Sequence, residues 1–152
     1  MPGNSFFIKR FDTSRFKFLC RTHRLRTYFH VKSGATLVQH GLPVLLELYH
    51  KGQISLENII EKTSYHVAEI FYVKERGYIR EGYYADLVLP DINNPWQVTS
   101  NNLLYKCQWS PFDNYLFKSK VMQTFVNGKQ VYNNGNFNET NKGKRLKFEK
   151  NR

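Results

Sequence analysis

Gly77-Tyr78-Ile79-Arg80-Glu81-Gly82-Tyr83-Tyr84-Ala85-Asp86-Leu87-Val88-Leu89-Pro90-Asp91 divides this chain into a helical part and a strand part. A short apolar-basic-acidic segment lies between two glycines, and Ala-Asp with a run of aliphatics follows. Ala85 to Leu89 predicts a short apolar strand, closed by Pro90-Asp91. Further on, Val121 to Val126 and Gln130 to Tyr132 flank Asn127-Gly128, a pair suited to the positive φ angles of a tight hairpin. Asn133-Asn134-Gly135 ends the second hairpin strand. Beyond it an Asn/Lys-rich segment carries little that could be buried, and disorder is the expectation there.

Upstream of the glycines the pattern is helical. Leu42, Leu45, Leu46 and Tyr49 recur at one-face spacing between Leu37 and His50. Pro43 fits the first turn, where a missing N–H costs little, and Gly52 is a plausible stop. Ser55 is a suitable N-cap for a second helix through Leu56-Glu57-Asn58-Ile59-Ile60-Glu61-Lys62. A third short helix is expected around His66 to Phe71, with Val67, Ile70 and Phe71 as its buried residues.

Three spaced blocks carry a family likeness. They are Ser33-Gly34 with Leu37-Val38-Gln39-His40 and Leu42-Pro43; the Gly77 to Asp91 stretch; and Leu104-Tyr105-Lys106-Cys107 with Trp109-Ser110-Pro111-Phe112 and Phe125-Val126-Asn127-Gly128. Taken together, from about Tyr28 to Phe137, the chain resembles the C-terminal part of a dihydroorotase, of the amidohydrolase superfamily. The resemblance implies an α+β fold: C-terminal helices of a TIM-like amidohydrolase barrel, then strands of the small β-sandwich domain, with the barrel incomplete. It divides the chain into a basic segment unlike the family (1–29), the terminal barrel loop and helices (30–76), strands of the small β domain (77–137) and a basic disordered tail (138–152). The activity it implies for the parent enzyme is reversible hydrolysis of dihydroorotate to N-carbamoyl-aspartate, in pyrimidine biosynthesis.

Amide hydrolysis of that kind uses a metal, zinc in the parent family, to activate water and polarise the carbonyl. The family binds it with a His-x-His pair, further histidines, an aspartate and usually a carboxylated lysine. Here the histidines are His23, His30, His40, His50 and His66, with successive gaps of 7, 10, 10 and 16, so neither a strand pair nor a helical i, i+4 pair exists. Where the family has Thr-Asp-His-Ala-Pro this chain has Leu19-Cys20-Arg21-Thr22-His23-Arg24-Leu25, which reads as a frame-shifted or fused start. We therefore expect no metal ligands, no bound cofactor and no catalytic residue in this chain by itself.

The resemblance does suggest weaker sites. His30, Ser33 and Gly34 fall where the family places a substrate-contacting loop, although Lys32 stands where proline is expected and a plain loop is the competing reading. Asp86 corresponds to an aspartate that accepts hydrogen bonds at the joint between barrel and β domain, a structural role. His40 reads as a helix-terminal or packing residue rather than a ligand, and His66 as a capping or surface residue. Cys107 has no neighbours that would activate it as a nucleophile.

Composition sets the outer bounds. The 152 residues suit one domain or a piece of a larger one, and 41% apolar content allows a modest core. No apolar run approaches the roughly 18 residues of a membrane span, no secretion signal is evident, and Cys20 and Cys107 suggest no disulfide scaffold, so a cytoplasmic setting is expected. The net charge is +11, but it lies at the ends: +7 over residues 1–32, zero over 33–135 and +4 over 136–152. Aromatics among the arginines, such as Phe16, Phe18, Tyr28 and Phe29, are what a single-strand nucleic-acid binder could use, yet no nucleic-acid motif accompanies them. Three roles remain: a dihydroorotase C-terminal segment inactive alone, a non-catalytic amidohydrolase-like partner subunit, or a basic nucleic-acid-binding protein. For the first, self-association or the missing barrel portion is the expected partner, and a small-molecule substrate belongs only to the complete enzyme.

Overall fold

The computed structural model describes residues 37–106 and 109–149. They form an α+β fold in which no closed barrel is present among the described residues. Two units can be separated: residues 37–39 with 98–106 and 109–114, and residues 40–97 with 115–149.

In the larger unit, helix α1 spans Gly41–His50, with Pro43, Leu46 and Glu47 buried. Pro43 sits in the first turn, where no helical N–H partner is lost. Helix α2, Leu56–Ile60, is capped by Ser55, whose hydroxyl accepts from Asn58 N at 3.2 Å. A hydrogen bond from its own backbone N–H, and then one from the same hydroxyl, lower the Glu57 carboxyl from its ordinary value. A π-helical turn, Glu61–Tyr65, runs into α3, His66–Ile70.

Burial in α3 departs from the sequence expectation. Ala68 is the buried residue, while Val67, Ile70 and Phe71 are 40%, 68% and 62% exposed. The reason is a close approach on one side only. A Cβ placed on Gly77 would lie 2.5 Å from the Ala68 Cβ, so the glycine backbone occupies the space beside Ala68. Nothing among the described residues closes over the other side to a comparable degree.

The strands make a four-stranded antiparallel sheet in the order β1-β4-β5-β6, from Leu87–Asp91, Lys120–Val126, Lys129–Asn133 and Asn136–Phe137. A separate antiparallel pair joins β2, Trp96–Gln97, to β3, Leu116–Phe117. Strand β1 starts and ends two residues later than expected, because Pro90 and Asp91 continue it instead of closing it. An edge strand tolerates this, and the register shifts between Leu89 and Pro90, where the missing proline N–H is least costly. The β4–β5 hairpin turns at Asn127-Gly128, with φ of 52° and 78°, the positive pair a tight primed turn requires.

Residues 138–149, where composition points to disorder, follow a defined course. Phe148 bridges Val73, Lys74 N donates to Lys147 O and Glu149 N donates to Tyr72 O, both at 2.9 Å. These are backbone contacts, which composition does not register.

The smaller unit is organised by Gln39. Its side chain donates to Asn102 O at 2.8 Å and accepts from Leu104 N at 3.0 Å, while its own N–H donates to the Tyr105 hydroxyl. Thr99 and Asn102 form a reciprocal cap on the short 3-10 turn Ser100–Asn102. Val98 is fully buried.

Candidate functional site

The best-defined polar cluster lies where the Gly77 to Asp91 stretch meets the β4–β5 turn. Asp86 uses one carboxylate oxygen to accept the Asn127 N–H at 2.7 Å and the other to pair with Arg76. The Arg76 guanidinium also donates to Asn127 Oδ1 at 2.8 Å and lies 4.4 Å from the centre of the Tyr84 ring. Gly128 N donates to Ala85 O at 2.9 Å, closing the same joint with backbone. The Arg76 side chain is only 11% exposed, so its charge is held by carboxylate, amide oxygen and aromatic face together. Chemically the cluster is saturated: every acceptor faces a donor of the same cluster, and it braces a turn.

A second network centres on helix α1. Glu47 is buried, and its carboxylate accepts from Lys118 N at 2.6 Å and the Tyr115 hydroxyl at 3.3 Å. A buried carboxylate needs such donors, and Glu47 thereby fixes the β3–β4 connection against the helix. One turn on, His50 Nε2 lies 2.8 Å from Ser119 Oγ. A Ser–His pair invites comparison with a nucleophile and its base, which requires the serine proton to point at the imidazole. Here Ser119 Oγ donates to Ile92 O at 3.2 Å, so its one proton is spent and His50 Nε2 must be the donor. Ser119 is 1% exposed, and its carbonyl accepts from Trp96 Nε1. The pair ties elements together.

His40 is fully buried at the start of α1, packed with Trp96 and Phe117 at ring-centre distances of 6.0 and 5.9 Å. His66 is exposed and 3.2 Å from Glu61. Tyr78 donates its hydroxyl to Glu69, and that bond pushes the phenol above its ordinary value. Among the described residues no three His, Cys, Asp or Glu side chains converge in a group able to hold a metal ion, so these residues do not fit the zinc that the family resemblance implies. No helix among them is long and apolar enough to cross a membrane.

His30, Ser33, Gly34 and Cys107 lie outside the described residues. Asp86 is placed as set out above. Sequence reasoning did not single out Arg76, Glu47 or Ser119. Glu47 lies off the Leu42, Leu45, Leu46 and Tyr49 stripe, and the buried set of α1 is Pro43, Leu46 and Glu47, so none of Arg76, Glu47 and Ser119 carries a local signal.

Comparison with known proteins gives these elements a context. The amidohydrolase family matches residues 28–131. This chain belongs to that family. It is similar to the dihydroorotase of Wolbachia sp. subsp. Drosophila simulans (strain wRi), with 40% identity over 99 residues, covering 65% of this chain and 22% of that protein. It is also similar to the allantoinase of Desulfitobacterium hafniense (strain Y51), 34% identical over 121 residues and covering 79% and 27% of the two chains. Among solved structures it resembles the L-hydantoinase (dihydropyrimidinase) from Arthrobacter aurescens, at 28% identity and TM-score 0.62, over 68% of this chain and 24% of that one. A D-hydantoinase shares the fold at TM-score 0.65 and 22% identity, over 70% of this chain and 24% of that one. The chain thus spans about a fifth to a quarter of the length of the relatives it matches.

Proposed function

We propose that this amidohydrolase-family chain acts as the C-terminal part of a dihydroorotase, contributing terminal barrel helices and small-domain strands and hydrolysing nothing by itself. The observation that carries this reading is the identity of 40–42% with three dihydroorotases over the same 99-residue length, against 34% with an allantoinase. In the complete enzyme the reaction is reversible opening of the dihydroorotate ring to N-carbamoyl-aspartate, a step of pyrimidine biosynthesis.

Within that role Asp86 is the structural joint. Its pairing with Arg76 and with the Asn127 N–H supports this, because removing the Asp86 carboxylate takes an acceptor from both the Arg76 charge and the Asn127 donor. A substrate-contacting role for His30, Ser33 and Gly34 rests on the family resemblance of their sequence alone. The chain's own residues supply no complete ligand set, since the sequence carries neither a His-x-His pair nor the Thr-Asp-His-Ala-Pro motif.

The test is direct. Purified chain supplied with zinc is assayed for metal content and for dihydroorotate ring opening. Sub-stoichiometric zinc and no turnover are expected. One or two zinc ions per chain with measurable ring opening would overturn the reading.

A further inference from the structure

Two Asn-Gly pairs turn the hairpins of the four-stranded sheet, Asn127-Gly128 between β4 and β5 and Asn134-Gly135 between β5 and β6. Such a pair is open to attack on its own side-chain amide, because no Cβ beside the glycine nitrogen blocks the approach. The two sites are alike in backbone, with φ of 52° and 78° at the first and 43° and 97° at the second. They are alike in electrostatics too. Arg76 donates to Asn127 Oδ1 at 2.8 Å, and Lys120 Nζ donates to Asn134 Oδ1 at 2.9 Å.

They differ at the attacking nitrogen. Gly128 N donates to Ala85 O at 2.9 Å, in the joint where Asp86 also holds the Asn127 N–H at 2.7 Å. No backbone acceptor among the described residues takes the Gly135 N–H. An amide that loses its proton while facing a carbonyl oxygen leaves two acceptors opposed, so the Gly128 nitrogen must leave Ala85 before it can react. The Asn127 amide must also leave a guanidinium whose side chain is only 11% exposed. Asn134 is exposed, and its contact with Lys120 lies at the surface.

We propose that Asn134 is a site of spontaneous deamidation in the folded chain, and that Asn127, in the same dipeptide, is protected. Hydroxide takes the Gly135 amide proton, and the nitrogen attacks Asn134 Cγ. The new C–N bond closes a succinimide ring, the Cγ–Nδ2 bond breaks, and Nδ2 takes a proton from water and leaves as ammonia. Water then adds to either carbonyl of the imide and breaks one C–N bond, which leaves aspartate or isoaspartate at position 134. Only water is consumed, and nothing is oxidised or reduced. Lys120 Nζ stands where negative charge develops on Oδ1 as Cγ becomes tetrahedral. The isoaspartyl product puts an extra carbon into the main chain of the loop that sets the pairing of Asn133 with Asn136 and of Tyr132 with Phe137, and so displaces β6.

The experiment incubates the purified full chain at mildly alkaline pH, either folded or in denaturant, and follows both asparagines by peptide mass spectrometry. Isoaspartate is read with a carboxyl methyltransferase that accepts it. In the folded chain Asn134 should convert at least about tenfold faster than Asn127, the factor by which the hydrogen bonds to Ala85 and Arg76 hold the first pair closed. In denaturant the two rates should converge, because the dipeptide is the same. The rate at Asn134 should rise with pH, since the nucleophile is the deprotonated nitrogen. Lys120→Met should slow conversion at Asn134 in the folded chain and leave it unchanged in denaturant. Comparable rates at the two sites in the folded chain, faster loss of Asn127, or a ratio that denaturant leaves unchanged each overturns the proposal. An unaltered rate at Asn134 in folded Lys120→Met overturns the part given to Lys120.

Discussion

Gly77 carries more structural weight than its size suggests. Its φ is +85°, and a Cβ there would also lie 3.1 Å from Ser64 O and 3.4 Å from Tyr65 Cα. Gly82 has nearly the same φ, +82°, with nothing within 4 Å of its Cβ position. The two glycines therefore separate backbone strain from steric overlap. Gly82→Ala should cost only the left-handed conformation, about 1–2 kcal/mol. Gly77→Ala should cost that and the displacement of α3 as well, since Ala68 Cβ cannot yield without moving the helix. Thermal unfolding of the two variants should show the larger drop in Tm for Gly77→Ala. Equal drops would mean that α3 gives way freely.

At the level of elements, backbone pairing between distant segments sets what each strand and helix can do. The segment after β6 reaches back to Tyr72–Lys74 through two backbone hydrogen bonds and the Phe148–Val73 bridge. Each such bond contributes roughly 0.5–1.5 kcal/mol net. Deleting residues 138–152 should thus destabilise the larger unit by about 1–3 kcal/mol and speed exchange of the Lys74 amide proton. Unchanged exchange at Lys74 in the shortened chain would show that the pairing contributes nothing. Helix α1 illustrates the same principle through a side chain, for Glu47 is buried because the β3–β4 connection brings a backbone N–H to it.

On the scale of the whole molecule, the balance between buried and exposed apolar surface is the governing quantity. Among the described residues the buried hydrophobic ones are Leu46, Ile59, Ala68, Val98 and Phe117, while Ile60, Ile70, Phe71, Ile79, Val88 and Leu89 are exposed. Each aliphatic left outside forgoes roughly 1.5–3 kcal/mol. The isolated chain should therefore bind a hydrophobic dye and unfold over a broad temperature range at low micromolar concentration. A sharp, cooperative transition without dye binding would show that the core suffices.

Features set by neighbours along the chain were legible in the sequence. Asn127-Gly128 reads as a tight turn because few residue pairs accept two positive φ angles, and Ser55 reads as a cap because its hydroxyl needs only the next turn's N–H. The spacing of the five histidines, with no i, i+2 or i, i+4 pair, was equally plain. The three spaced blocks that carry the family likeness lie within or beside residues 28–131, which the amidohydrolase family matches. Tertiary structure alone decided that Ala68 and not Ile70 or Phe71 is buried, that Ser119 gives its proton to Ile92, and that Phe148 returns to Val73. Periodicity tells which residues share a face; it cannot tell which face meets another segment. Burial and proton direction depend on what the folded chain brings opposite, often dozens of residues away, and the sequence carries no local trace of that encounter.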